Sequence, residues 1–118
     1  ALRIARNIAA ATAHLHAQGI MHGDLYAHNI LWDGDSGAAV LSDFGAACIL
    51  PDGARGDRWR RLETRAWGLL LDELLDRCTE APANLAAWRA LAQACTQAQT
   101  DRRPLMAEAI DEIDRLAA

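Results

Sequence analysis

The chain has 118 residues, one domain's worth, with 12 basic against 16 acidic side chains and a net charge of −4. All 12 basic residues are arginine and, apart from Arg58, Arg60, Arg61 and Arg65, they are scattered, which excludes the basic footprint of a nucleic-acid binder. No apolar run reaches the roughly 18 residues of a membrane helix, so no membrane contact is expected from this segment. The cysteines Cys48, Cys78 and Cys95 lie far apart without C-x-x-C spacing, which argues against a zinc site or a disulfide framework and fits a reduced, cytoplasmic setting.

From Leu2 to Gln18 apolar positions recur at helical spacing (Ile4, Ile8, Ala11 or Thr12, Leu15), and Gly19 supplies a stop. His14 and His16, two apart, project to nearly opposite faces of such a helix and cannot chelate one ion; they read as solvated or core-edge histidines. A polar octet, His22-Gly23-Asp24-Leu25-Tyr26-Ala27-His28-Asn29, follows between Ile20-Met21 and Ile30-Leu31-Trp32. Ile30–Trp32 and Ala39–Leu41 read as short strands joined by the turn-rich Asp33-Gly34-Asp35-Ser36-Gly37, which lacks the remaining ligands of a calcium loop. Ser42-Asp43-Phe44-Gly45 comes next. Asp24 and Asn29 are five apart in a loop and Asp43 ends the second strand of the hairpin, so two carboxylates and an amide reach one small region. That is a donor set for a magnesium nucleotide.

Residues 46–62 carry Pro51, Gly53 and Gly56 without periodicity and read as a loop. Glu63 to Cys78 is a helix with the apolar stripe Trp67, Leu70, Leu71, Leu74, Leu75 and Cys78, and Leu85 to Thr96 another with Leu85, Trp88, Leu91, Ala92 and Cys95 inward. Pro104 starts a last helix through Leu116 that turns Leu105, Ala109, Ile113 and Leu116 inward. The expected fold is mostly α with one small β-hairpin.

H-G-D-L-x-x-x-N over 22–29, followed by D-F-G at 43–45, resembles the catalytic loop and metal loop of the protein kinase superfamily. The resemblance runs from the first helix to Arg103-Pro104, which is similar to the closing R-P motif, and it implies the C-terminal lobe of an α+β kinase fold over residues 1–118. The N-terminal lobe is expected to lie elsewhere, because no lysine and no Gly-rich phosphate loop are present. The abrupt start, inside a helical pattern, fits a piece of something longer. Position by position, the resemblance makes Asp24 the base that accepts the acceptor's proton. Asn29 and Asp43 become the ligands of magnesium and, through it, of ATP. His22, Phe44, Gly45, Glu63 and Arg103 become the residues that hold the loops. Glu63 stands where the family usually has an Asp that grips the catalytic loop. Arg103 lacks its usual A-P-E partner, which leaves Glu63 or Asp57 as candidates.

The departures matter as much. Gly23 replaces the Arg that usually precedes the catalytic Asp, and residues 46–62 contain no Ser, Thr or Tyr, so the usual phosphorylation switch is absent. The resemblance implies an ATP- and magnesium-dependent phosphotransferase of a compact, bacterial type, acting on a Ser or Thr hydroxyl and inactive as the isolated chain. Two alternatives stand beside it. H-G-D-L also occurs in aminoglycoside- and choline-kinase relatives, with a small-molecule acceptor, and the shortened substrate shelf suits a non-catalytic binding module.

Overall fold

The computed structural model describes residues 2–36 and 38–117. Gly37, the last residue of the expected hairpin turn, lies outside them. The elements in order are α1 (Leu2–Ala17), β1 (Ile20–Met21), β2 (Ile30–Trp32), β3 (Ala39–Leu41), β4 (Cys48–Ile49), α2 (Gly53–Asp76), α3 (Leu85–Cys95) and α4 (Met106–Ala117), with 3₁₀ turns at Ala27–Asn29, Phe44–Ala46 and Thr100–Arg102. The fold is mostly helical with two small antiparallel ribbons, as a kinase-like C-terminal lobe requires.

Four helices share one core. α1 brings Ile4 and Ile8 together with Ala5 and Ala9, whose small side chains leave room for the bulky Trp67, Leu71 and Leu75 of α2. α3 adds Trp88, Leu91 and Cys95, and α4 adds Met106, Ala109 and Ile113. The fully buried Trp67 donates its indole N–H to the Ala5 carbonyl at 3.0 Å, so its one polar atom is satisfied inside the core. Thr12 is buried in α1 because its hydroxyl donates to the Ile8 carbonyl at 2.8 Å. One turn further on, the buried stripe continues through His16 rather than Leu15.

Two boundaries differ from the periodicity reading. α2 begins at Gly53, not Glu63, so residues 53–62 are helical rather than loop. Ala54, Arg55, Arg58, Arg60, Arg61 and Leu62 are good helix formers that outweigh the two glycines. Gly56 is there for packing: a Cβ on it would stand 2.0 Å from the Pro51 carbonyl oxygen, where the chain doubles back at the helix start. α4 begins at Met106, and Pro104 stands just outside it. Glu108 reaches back to accept the Leu105 N–H at 2.9 Å, so the helix start is capped by a side chain three residues on.

β2 and β3 pair with Ile30 opposite Leu41, Leu31 opposite Val40 and Trp32 opposite Ala39. β1 and β4, which the sequence pattern did not suggest, pair with Ile20 opposite Ile49 and Met21 opposite Cys48. This second ribbon clamps the segment after Asp43 against the start of the octet.

Candidate active site

The octet hangs from α2 by one side chain. Glu63, 3% exposed, accepts the His22 N–H at 2.9 Å on Oε1 and the Gly23 N–H at 2.8 Å on Oε2, while the His16 ring donates from Nε2 to Oε1 at 3.1 Å. Burial by itself would raise the Glu63 pKa. The His16 hydrogen bond, with the N–H groups of Gly23 and His22, outweighs it and holds the carboxyl below its ordinary value. Among the described residues His16 Nδ1 is buried with no partner, and an unprotonated Nδ1 lone pair is cheaper to bury unpaired than an N–H, which favours the tautomer that donates to Glu63.

Gly23 is a backbone requirement. Its φ is +85°, and a Cβ there would lie 2.4 Å from the Ala46 carbonyl oxygen. An Arg at this position is therefore incompatible with the path of the segment after D-F-G.

Beyond Gly23, His22 and Asn29 knit the octet to the hairpin. His22 is fully buried; its Nδ1 accepts the Asp24 N–H at 3.2 Å and its Nε2 donates to the Ser42 carbonyl at 2.8 Å, which defines the neutral Nε2–H form. Asn29, also buried, uses its amide nitrogen twice, donating to the Asp24 carbonyl at 2.7 Å and to Asp24 Oδ2 at 3.0 Å. Ser42 then binds the Asn29 carbonyl with both its N–H, at 2.7 Å, and its hydroxyl, at 2.8 Å. Hydrogen bonds thus run without a break from Asp24 through Asn29 to the residue preceding Asp43. Asp43 itself is left-handed, φ 58°, with Oδ1 accepting the Gly45 N–H at 3.3 Å, and Phe44 lays its ring edge-on to His22 at a centroid distance of 4.9 Å.

This donor set fits a magnesium ion. With the Asn29 side-chain nitrogen committed to Asp24 and its backbone carbonyl to Ser42, the side-chain Oδ1 is the atom it can offer, and Asp43 has a second carboxylate oxygen not held by Gly45. Both are hard oxygen donors. Among the described residues no trio of His, Cys, Asp or Glu forms a closed metal cage, so the remaining ligands have to come from phosphate and water. In the hairpin turn Asp33 accepts from the Ser36 hydroxyl at 2.8 Å and the Asp35 N–H at 3.1 Å, and these bonds hold its pKa below the ordinary carboxylate value.

Arg103 pairs with neither Glu63 nor Asp57. It donates from Nε to the Gln97 carbonyl at 2.7 Å and from Nη1 to the Arg61 carbonyl at 3.3 Å, while Asp57 is bound by Arg60 at 3.2 Å. Two features of the site escaped the sequence reading. His16 becomes the partner of Glu63 only through tertiary packing, and no local signal marks it. Leu31 and Val40, opposite each other on the hairpin and 61% and 57% exposed, are an apolar platform that no alternation marks in the sequence, because I-L-W and A-V-L are apolar throughout.

The fold and this loop architecture define a protein-kinase-type lobe. The chain belongs to the protein kinase domain family, whose profile matches residues 1–68. Among curated proteins it is 44% identical over 54 residues to the Probable myosin light chain kinase of Dictyostelium discoideum, covering 45% of this chain and 17% of that protein. It is 46% identical over 50 residues to the serine/threonine-protein kinase AtPK1/AtPK6 of Arabidopsis thaliana (42% and 10%) and 39% identical over 61 residues to mouse Kinase suppressor of Ras 2 (49% and 6%). The chain thus spans less than a fifth of the length of these relatives.

Proposed function

We propose that the chain is the catalytic-loop lobe of an ATP- and magnesium-dependent phosphotransferase acting on a Ser or Thr hydroxyl, completed by an N-terminal lobe. The observation that carries this reading is the Asn29 bridge. The side-chain amide of Asn29 fixes the Asp24 carboxylate while its backbone carbonyl, through Ser42, fixes the strand that delivers Asp43, so the two acids are set relative to each other by hydrogen bonds rather than by chance. Asp24 is the base: its Oδ2 is held by Asn29, which leaves Oδ1 to accept a proton from an acceptor hydroxyl. Asn29 and Asp43 supply the oxygens that hold magnesium, which when bound neutralises charge on the phosphates during transfer. Glu63, His16 and His22 keep the loop in this conformation and touch no substrate.

Asp24 and Asp43 should fail differently in the protein that joins this lobe to its partner lobe. Asp24→Ala is expected to leave MgATP affinity within a few fold while cutting transfer by on the order of a hundredfold or more. Asp43→Ala should weaken nucleotide binding and transfer together. Wild-type turnover in Asp24→Ala rules this assignment out.

A second reading, transfer to a small molecule, is favoured by one observation. Tyr26, two residues after Asp24, carries no charge, is 56% exposed and stacks on His28 at 5.6 Å with rings 10° apart. A flat aromatic pair beside the base is a surface for a compact acceptor. Assaying phosphate incorporation into a Ser/Thr peptide mixture against an aminoglycoside and choline separates the two readings.

A further inference from the structure

Five of the 12 arginines, Arg6, Arg60, Arg77, Arg89 and Arg115, are ion-paired with carboxylates. Among the described residues the other seven have no such pair: Arg3 on α1, Arg55 in the first turn of α2, and five gathered at one end of the molecule. Arg58, Arg61 and Arg65 climb α2 at spacings of three and four, and Arg102 and Arg103 stand at the loop before α4. Among the described residues none of these five has a carboxylate within ion-pair distance.

Two of them face each other. Arg61 donates from Nε to the Arg103 carbonyl at 2.9 Å, and Arg103 returns a bond from Nη1 to the Arg61 carbonyl at 3.3 Å. Neutral carbonyls satisfy the N–H groups and leave the charges uncompensated. Burial, and then the charge of Arg65, accordingly pull the Arg103 pKa below the ordinary arginine value. Arg58 and Arg102 line an open cleft of about 580 Å³ with Gln99, Thr100 and Asp101. A neighbouring cleft of about 440 Å³ is lined by Arg61, Arg102 and the largely buried Arg103 beside Asp101, Glu108 and Glu112. Glu112 is already paired with Arg115, which leaves Asp101 and Glu108, two negative charges against five guanidiniums. General basicity is no explanation in a chain of net charge −4.

We propose that this end of the molecule binds a phosphate dianion, free or as a phosphomonoester, between Arg58 and Arg102, with Arg61, Arg65 and Arg103 behind them and the Thr100 hydroxyl at the rim. Guanidinium forks match the tetrahedral oxyanion bidentately, and a dianion suits the uncompensated positive charge better than a single carboxylate does. The site shares no residue with the Asp24, Asn29 and Asp43 cluster, so it stands or falls independently of phosphotransfer.

The test uses the 118-residue chain at constant ionic strength. Inorganic phosphate and, separately, O-phosphoserine are titrated while amide and arginine Nε–H resonances are followed by NMR, with sodium chloride as the control. Saturable shifts are expected at Arg58 and over 99–103, weakened about tenfold or more in Arg58→Gln and in Arg102→Gln and unchanged in Arg6→Gln. Both targeted side chains are exposed, so neither substitution opens the core. Tighter binding of phosphoserine marks an ester as the ligand, and equal or weaker binding marks the free anion; either supports the site. Shifts that never saturate, that chloride reproduces, or that survive both substitutions overturn it.

Discussion

Glu63 is the residue on which the octet depends, because one carboxylate answers two backbone N–H groups and a buried imidazole. Glu63→Ala strands all three and is expected to cost about 3–5 kcal/mol, the scale of breaking a buried charged network, in chemical denaturation of the chain. A small domain has only roughly 5–15 kcal/mol to lose. Glu63→Gln keeps the shape but only one acceptor oxygen, and should cost about 1–3 kcal/mol. A loss under 1 kcal/mol for the Ala variant would mean the loop is held by something else. The pH dependence has a definite sign. The folded-state pKa of Glu63 is depressed, so its contribution is fully present above the unfolded carboxyl value of about 4.3 and disappears as pH falls through the lower folded value. Wild-type stability should therefore drop more steeply below about pH 4 than that of Glu63→Gln. That Asp24, Asn29 and the segment carrying Asp43 come together was legible in the sequence, since short local motifs carry them, while the role of each belongs to the proposed function. The His16 to Glu63 contact was not, because it joins positions 47 apart through packing alone.

At the scale of elements, helical periodicity located α1, α3 and α4 to within a residue or two, because each has one apolar face on a shared core. It failed at the start of α2, where Gly53 and Gly56 read as breakers. Only the fold reveals that the Pro51 carbonyl occupies the space a side chain at 56 needs. β1 and β4, two residues each, carry too few positions for any pattern and exist because they pair with one another. Gly68 marks a third close approach, between α2 and α3. A Cβ there would meet Cys95 Cβ at 2.7 Å and Thr96 Cγ2 at 2.9 Å. Ala gains up to about 1 kcal/mol in helix propensity over Gly, yet overpacking costs about 1–3, so Gly68→Ala should destabilise by roughly 1 kcal/mol or more in thermal melts; a stabilised variant would show that the helices separate freely. Cys95 beneath it is fully buried, and burial pushes its thiol up to about 12. Under native conditions a maleimide should modify the exposed Cys48 readily and Cys95 only after unfolding.

For the whole molecule, the decisive fact is that the site is built from one side only. Leu31 and Val40 offer an exposed apolar floor and Asp43 an exposed carboxylate, with the buried Asn29 behind it. Ligand sites bury about 70–90% of a drug-sized molecule, whereas an open platform can cover little more than one face of a nucleotide. On the proposed function the remaining contacts would include cationic ones, since the chain has no lysine, and among the described residues its arginines without an ion pair lie on α1, on α2 and before α4, outside the octet. Loss of about half of a micromolar binding energy, roughly 4 of 8 kcal/mol, leaves a Kd near the millimolar level. Calorimetry of the 118-residue chain with MgATP should thus give no measurable heat at micromolar protein, and addition of the partner lobe should restore it. A micromolar Kd for the chain alone would mean that this lobe carries most of the nucleotide affinity by itself. The apolar floor and the Asn29 bridge would then be the places to search for it, through Leu31→Ala and Asn29→Ala respectively.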